Sequence, residues 1–144
     1  MPAHALPILL VESHLEVLAS ILDALEFEGY RVMAARSEGE AWKRLEGMGR
    51  PGLVLLDGAL EEAGRARLLR RFQEEGVPVV LLAANDEPLE PGPRAVLRKP
   101  FHLDTLYATV AAHGPPRGAP RFTRGNRDAG FFPGECGSFV LSSL

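Results

Sequence analysis

Residues 53–58 read Leu-Val-Leu-Leu-Asp-Gly: four apolar residues in unbroken succession, then a carboxylate and a glycine. An unbroken apolar run this short suits a strand covered on both faces, whereas a strand with one wet face would alternate. Comparable runs stand on either side, at Ile8-Leu9-Leu10-Val11, Tyr30–Ala34, Val77–Leu82 and, more weakly, Ala95-Val96-Leu97. Amphipathic stretches separate them. Leu15, Leu18, Ile21, Leu22 and Leu25 recur at spacings of three and four, which is helical. Ser13 with Glu16 reads as a capping box opening that helix and Gly29 as its stop. Ser37 with Glu40 repeats the signature before Ala41, Trp42 and Leu45, with Gly47 ending the pattern. A third helix is expected from about Glu62 to Glu75, stopped by Gly76, and a last one from about Leu103 to Ala112.

Strands alternating with helices through short connections give βαβ units, right-handed crossovers and a parallel sheet with helices on both faces. The expected fold is therefore α/β, a doubly wound, flavodoxin-like five-stranded sheet of order 2-1-3-4-5 with its switch point between strands 1 and 3. Ligands in such sheets bind beyond the carboxyl ends of the strands, so chemistry is expected at Glu12-Ser13, Asp57, Ala83-Ala84 and Lys99. The fourth crossover breaks the pattern. Only residues 85–94 remain for it, and Pro88, Pro91, Gly92 and Pro93 leave room for a shortened fourth helix of one turn at most.

Two parts are expected: a domain over residues 1–113 and a Gly/Pro-rich tail or arm over 114–144. Apolar residues make up 46% and charged residues 24% of the chain, as in an ordinary globular domain with one core. A net charge of −3 argues against nucleic acid or an acidic membrane as partner, and no apolar run is long enough to span a bilayer. The start, MPAHALPILLVES, has neither a basic n-region nor a small-residue cleavage site, and the single Cys136 allows no intramolecular disulfide, so the cytoplasm is the expected compartment. The tail arginines Arg117, Arg121, Arg124 and Arg127 read as a solvated arm, and Trp42 as a packing residue. His4, His14, His102 and His113 have no metal-ligand spacing. Lysine occurs only at positions 43 and 99, which singles out Lys99.

ILLVES, LVLLDG, PVVLLAA and LRKPF, in this order and roughly at these spacings, resemble the signature segments of CheY-like response-regulator receiver domains over about residues 6–113. The resemblance implies that Asp57 is the phospho-acceptor for a histidine kinase, that Lys99 contacts the phosphate, that Pro100 follows a cis bond, and that Glu12 and Asp57 help hold Mg²⁺. The physical logic agrees: a carboxylate attacking a phosphoryl group needs a cation and fixed donors to offset the gathered charge. Three positions depart from the pattern. Ser13 replaces the second metal-binding acid, Ala83 replaces the phosphate-binding Thr or Ser, and Val96 replaces an aromatic switch residue. Glu12 and Asp57 would then form a weak Mg²⁺ site at best, and no other cofactor is implied. Lys99 beside Asp57 is expected as a standing ion pair.

Two functions follow. One is a pseudo-receiver in two-component phosphorelay signalling, a protein-interaction module independent of phosphorylation; the other is a working receiver phosphorylated on Asp57 by a histidine kinase. An enzyme on the same fold is disfavoured. A hydrolase passing through an aspartyl phosphate would want an acid two residues after Asp57, where Ala59 stands, and a dinucleotide site would want glycines after strand 1. No output domain is legible, so action through a protein partner is expected: a kinase, another regulator or a second copy, with homodimerisation through the arm as one route.

Overall fold

The computed structural model describes residues 6–84 and 91–116. Its strands are β1 (Ile8–Val11), β2 (Val32–Ala35), β3 (Leu53–Asp57), β4 (Val79–Ala83) and β5 (Ala95–Arg98). Its helices are α1 (Leu15–Phe27), α2 (Glu38–Met48), α3 (Glu62–Glu75) and α4 (Leu103–His113). The sheet is parallel throughout, in the order β2-β1-β3-β4-β5. This is the doubly wound five-stranded parallel sheet of order 2-1-3-4-5 expected from the apolar runs and the helices between them.

The alternation of side chains along each strand builds two cores, one on each face. Ile8, Leu10, Leu53, Leu55, Val80, Leu82 and Leu97 pack against Val17, Leu18, Ile21 and Leu25 of α1 and Leu106 and Val110 of α4. Leu9, Val11, Val54, Leu56, Leu81 and Ala83 pack against Ala41 and Leu45 of α2 and Leu68, Leu69 and Phe72 of α3. β3 has no exposed residue on either face, which is why LVLLD carries no alternation. Full burial of each leucine there contributes about 1.5–3 kcal/mol.

Several boundaries differ from the sequence expectation. Helix α1 ends in a Schellman arrangement, with Gly29 at φ 96° and its N–H bonded to Glu26 O, and Tyr30 N–H bonded to Leu25 O. Tyr30 thus closes the helix, and β2 begins only at Val32. In the same way Val77 N–H returns to Phe72 O at the end of α3, and Pro78 has no N–H, so β4 starts at Val79. Gly47 lies within α2; the stop is Gly49, at φ 78°, whose N–H bonds to Leu45 O. Ser37 caps α2 as expected, accepting from the Glu40 amide at 3.2 Å.

The other expected cap is overturned. The N-cap of α1 is His14, not Ser13, and no side chain caps it. Ser13 stands one residue too early for that role, and its hydroxyl goes elsewhere. Of the fourth crossover, residues 85–90 lie outside the described residues, and 91–94 are non-helical. The tail call falls outside them from residue 117 onward. Among the described residues no helix is long and apolar enough to cross a membrane.

Candidate functional site

All five strands end at the same edge of the sheet, and β1 and β3 are neighbours whose following helices depart to opposite faces, which opens a crevice beyond them. Glu12 directly follows β1, its N–H bonded to Ala35 O; Asp57 is the last residue of β3. Lys99 directly follows β5, its N–H bonded to Ala83 O, and the Lys99–Pro100 bond is cis. Glu12, Asp57 and Lys99, brought together from positions 12, 57 and 99, therefore converge.

Glu12 and Asp57 are fully buried, and the Lys99 side chain is 17% exposed. Lys99 Nζ donates to Glu12 Oε1 at 3.0 Å and stands 3.6 Å from Asp57 Oδ1. The expected Lys99–Asp57 ion pair is present, but the ammonium is shared and its nearer partner is Glu12. Asp57 instead takes short hydrogen bonds from neutral donors. The Ser13 hydroxyl donates to Oδ2 at 2.7 Å, the Ser13 amide to the same oxygen at 3.0 Å, and the Ala59 amide to Oδ1 at 2.9 Å. Glu12 Oε2 accepts from the His14 amide at 3.1 Å. Every oxygen of the two carboxylates has a donor.

These contacts push the two acids apart. Burial pushes the Glu12 carboxyl up, the Asp57 charge adds to that, and Lys99 and the His14 amide offset it only in part, so the net shift is upward. Burial also pushes Asp57 up, but the Ser13 hydroxyl, the Ala59 and Ser13 amides and the Lys99 charge together outweigh it, leaving Asp57 below its ordinary value. Asp57 is the firmly ionised member, and Ser13 is the strongest lowering influence on it.

Sequence reasoning placed Ser13 at the right edge of the sheet and gave it the wrong partner. The signal was there, because a residue directly after the switch strand faces the crevice before it can start a helix. Ala83 is fully buried in the core on the α2–α3 side and brings no side-chain donor, and Val96 packs half-buried against that core. Arg65 was overlooked: its guanidinium donates to the carbonyls of Gly58 and Leu60, at 2.9 Å each, and pins the loop that carries the Ala59 amide. His14 is 65% exposed at the rim, its Nδ1 3.8 Å from Glu12 Oε2.

The donor set fits Mg²⁺ poorly. That ion takes about six oxygens in near-octahedral array, at about 2.0–2.1 Å. Here two carboxylates converge, all four of their oxygens are engaged, and an ammonium lies between them. No cluster of three or more His, Cys, Asp or Glu suited to a metal occurs among the described residues.

The model of the response regulator receiver domain matches residues 8–111. Among solved structures, a CheY-like receiver domain protein from Methanospirillum hungatei is similar at 25% identity and TM-score 0.66, over 76% of this chain and 93% of that one. A receiver protein from Burkholderia phymatum is similar at 29% identity and TM-score 0.65, over 74% of this chain and 93% of that one. NtrX from Brucella abortus, in complex with ATP, shares the fold at 21% identity and TM-score 0.66, over 76% of this chain but only 27% of its own. No curated protein matches the chain.

Proposed function

The chain belongs to the response regulator receiver domain family, and on that premise we propose that it is an atypical receiver, a protein-interaction module of two-component signalling held in one state without phosphorylation. The observation that carries this reading is the Ser13–Asp57 contact: hydroxyl and amide of one residue bond the same carboxylate oxygen, at 2.7 and 3.0 Å. Hydrogen bonds to an ionised acceptor are the strong kind. An acyl phosphate on Oδ2 would have to break both, and one on Oδ1 would have to displace the Ala59 amide beside Lys99.

The losses on the phosphate side point the same way. A phosphoryl group brings charge that must be met by a cation and by fixed donors. Ser13 supplies no third carboxylate for a metal, Ala83 supplies no hydroxyl, and Lys99 is already bonded to Glu12. Fixed in this way, the domain presents one surface to a protein partner, whether a histidine kinase, another regulator or a second copy.

The working phospho-acceptor is the second reading, and one observation favours it: Asp57 is ionised and lies within reach of the Lys99 ammonium. Intact mass after incubation with acetyl phosphate and MgCl₂ separates the two. The expected result is an unchanged mass for wild type. Addition of one phosphoryl group that disappears in Asp57→Ala would overturn the proposal.

A further inference from the structure

At the opposite end of the sheet from β5, strand β2 is an edge, paired only with β1 among the described residues. The carbonyls of Arg31 and Ala35 bond to the β1 side, at Ile8 N and Glu12 N, so the intervening peptide groups of Val32 and Ala34 point outward. Arg44 Nε covers one of them, donating to Ala34 O at 2.9 Å. Among the described residues, Val32 N–H and C=O and Ala34 N–H remain along the open edge.

A groove of about 540 Å³ runs beside this edge. Met33 and Met48, both half-buried, line its apolar part, while Arg31, Lys43 and Arg44 stand exposed around it with Glu40 as the one carboxylate. Glu40 Oε1 accepts from the Arg36 amide at 2.8 Å, a neutral donor, so the carboxylate keeps its charge and offsets one of these cations. The chain as a whole is acidic, at −3, whereas Lys43 and Arg44 against Glu40 leave this rim positive even with Arg31 left out of the count, a local reversal of sign. One of the chain's two lysines lies here and the other in the crevice.

We propose that this edge and groove form a docking site for an acidic, extended peptide segment of a partner protein, added to the sheet as a strand beside β2. Strand addition takes affinity from main-chain hydrogen bonds and specificity from side chains that meet alternate pockets. Val32 and Ala34 offer the main-chain groups, the cations meet glutamate or aspartate, and the two methionines adapt to the apolar side chains between. A second copy docked edge to edge is disfavoured, because it would set Arg31, Lys43 and Arg44 against their own counterparts. Edge cations are a known barrier to such self-pairing. The site stands apart from the Asp57 crevice and does not depend on the state of that carboxylate.

The test is an NMR titration of ¹⁵N-labelled protein with a heptapeptide of alternating glutamate and valine. Amide shifts centred on Val32, Ala34, Lys43 and Met48 are expected, with Kd raised about tenfold in Lys43→Glu/Arg44→Glu. The same peptide N-methylated at alternate amides, tested on wild type, separates pairing from charge and needs no variant to fold. Loss of the Val32 and Ala34 shifts with that peptide supports strand addition. Equal shifts with the methylated peptide, equal shifts with a lysine–valine peptide, or no response at Val32 and Ala34 would each overturn the proposal.

Discussion

Ser13 and Asp57 are joined by two hydrogen bonds to a single carboxylate oxygen, one from a side chain and one from the backbone, across 44 residues of sequence. The contact ties the start of the β1–α1 turn to the end of β3. It also shows where a residue that matches a helix cap by type goes instead: the N-cap of α1 is His14, Ser13 stands one residue ahead of it, and its hydroxyl donates to the buried carboxylate, a charge-assisted hydrogen bond.

Removing the Ser13 hydroxyl follows directly. Ser13→Ala leaves the amide bond and deletes the shorter one, so Asp57 loses its strongest lowering influence and its pKa rises. A hydrogen bond to a charged group contributes about 1.5–3 kcal/mol, so stability at pH 7 falls by that order. Asp57 has a depressed folded pKa, so its contribution is present above the unfolded value, 3.8, and is lost as pH falls through the folded one. In Ser13→Ala the loss still begins at the unfolded value, but it is smaller and is complete at higher pH, because the folded pKa has risen. Carboxyl ¹³C titration of Asp57 and urea unfolding at several pH values check both halves.

Converting Ser13 to aspartate tests the metal argument. The third carboxylate supplies what the donor set lacks, so Ser13→Asp is expected to be destabilised without divalent cation and restored by it. Ten- to hundredfold excess of Mg²⁺ over Kd corresponds to about 1.4–2.7 kcal/mol, a melting shift of several degrees. Wild type under the same conditions shows no comparable shift. Equal shifts in both proteins would refute the fit argument.

Lys99 is the cation that holds two buried acids together, and Lys99→Met leaves them facing each other. Removing one partner of a buried pair costs about 3–5 kcal/mol. The sign with pH is opposite to that of Asp57. Glu12 has a raised folded pKa, so its contribution to stability is fully present below the unfolded value, 4.5, and is lost as pH rises through the folded one. Lys99→Met is therefore expected to gain stability relative to wild type on acidification toward pH 5, and Glu12→Gln in the same background to remove most of that gain. Unfolding free energies of the four proteins of this cycle, at pH 5 and pH 7, decide it.

The helix pair α2–α3 carries a second acid-sensitive contact, distant from the crevice. Glu38 accepts from Arg67 at 2.7 and 2.8 Å and from the Trp42 indole at 2.9 Å, and Arg71 lies 5.4 Å from the centre of the Trp42 ring. The Arg67 hydrogen bonds and then the Trp42 one hold the Glu38 carboxyl down to about 2. Its contribution is present above 4.5 and is lost as pH falls through about 2. Fluorescence of Trp42, the only tryptophan, is expected to change over that window in wild type and to stay flat there in Glu38→Gln.

How far the sequence led is plain from particular residues. The unbroken apolar run at 53–56 required a strand buried on both faces, and strand–helix alternation then left little freedom in topology. Convergence of Glu12, Asp57 and Lys99 followed from where parallel strands end. Hydrogen-bond partners did not follow, because the type and spacing of Ser13 satisfy a local cap rule on paper, and only the helix start, one residue later than that rule needs, frees its hydroxyl for Asp57. The β2 start at Val32 was hidden for a related reason, since the Tyr30 amide is taken by the helix before it.

The misjudged end of α2 gives the last test. Gly47 is helical and a Cβ there would meet nothing within 4 Å, whereas Gly49 sits at φ 78°, where an L side chain is strained. Alanine in place of a helix-interior glycine adds about 0.5–1 kcal/mol, and alanine forced into a left-handed conformation costs about 1–2 kcal/mol. Gly47→Ala is therefore expected to raise stability and Gly49→Ala to lower it, although the two sites are two residues apart and both exposed. Urea midpoints at unchanged m-value measure both. The reverse order would return the helix stop to Gly47 and shift the rim of the β2 groove, because Lys43, Arg44 and Met48 owe their common face to the helix running through to residue 48.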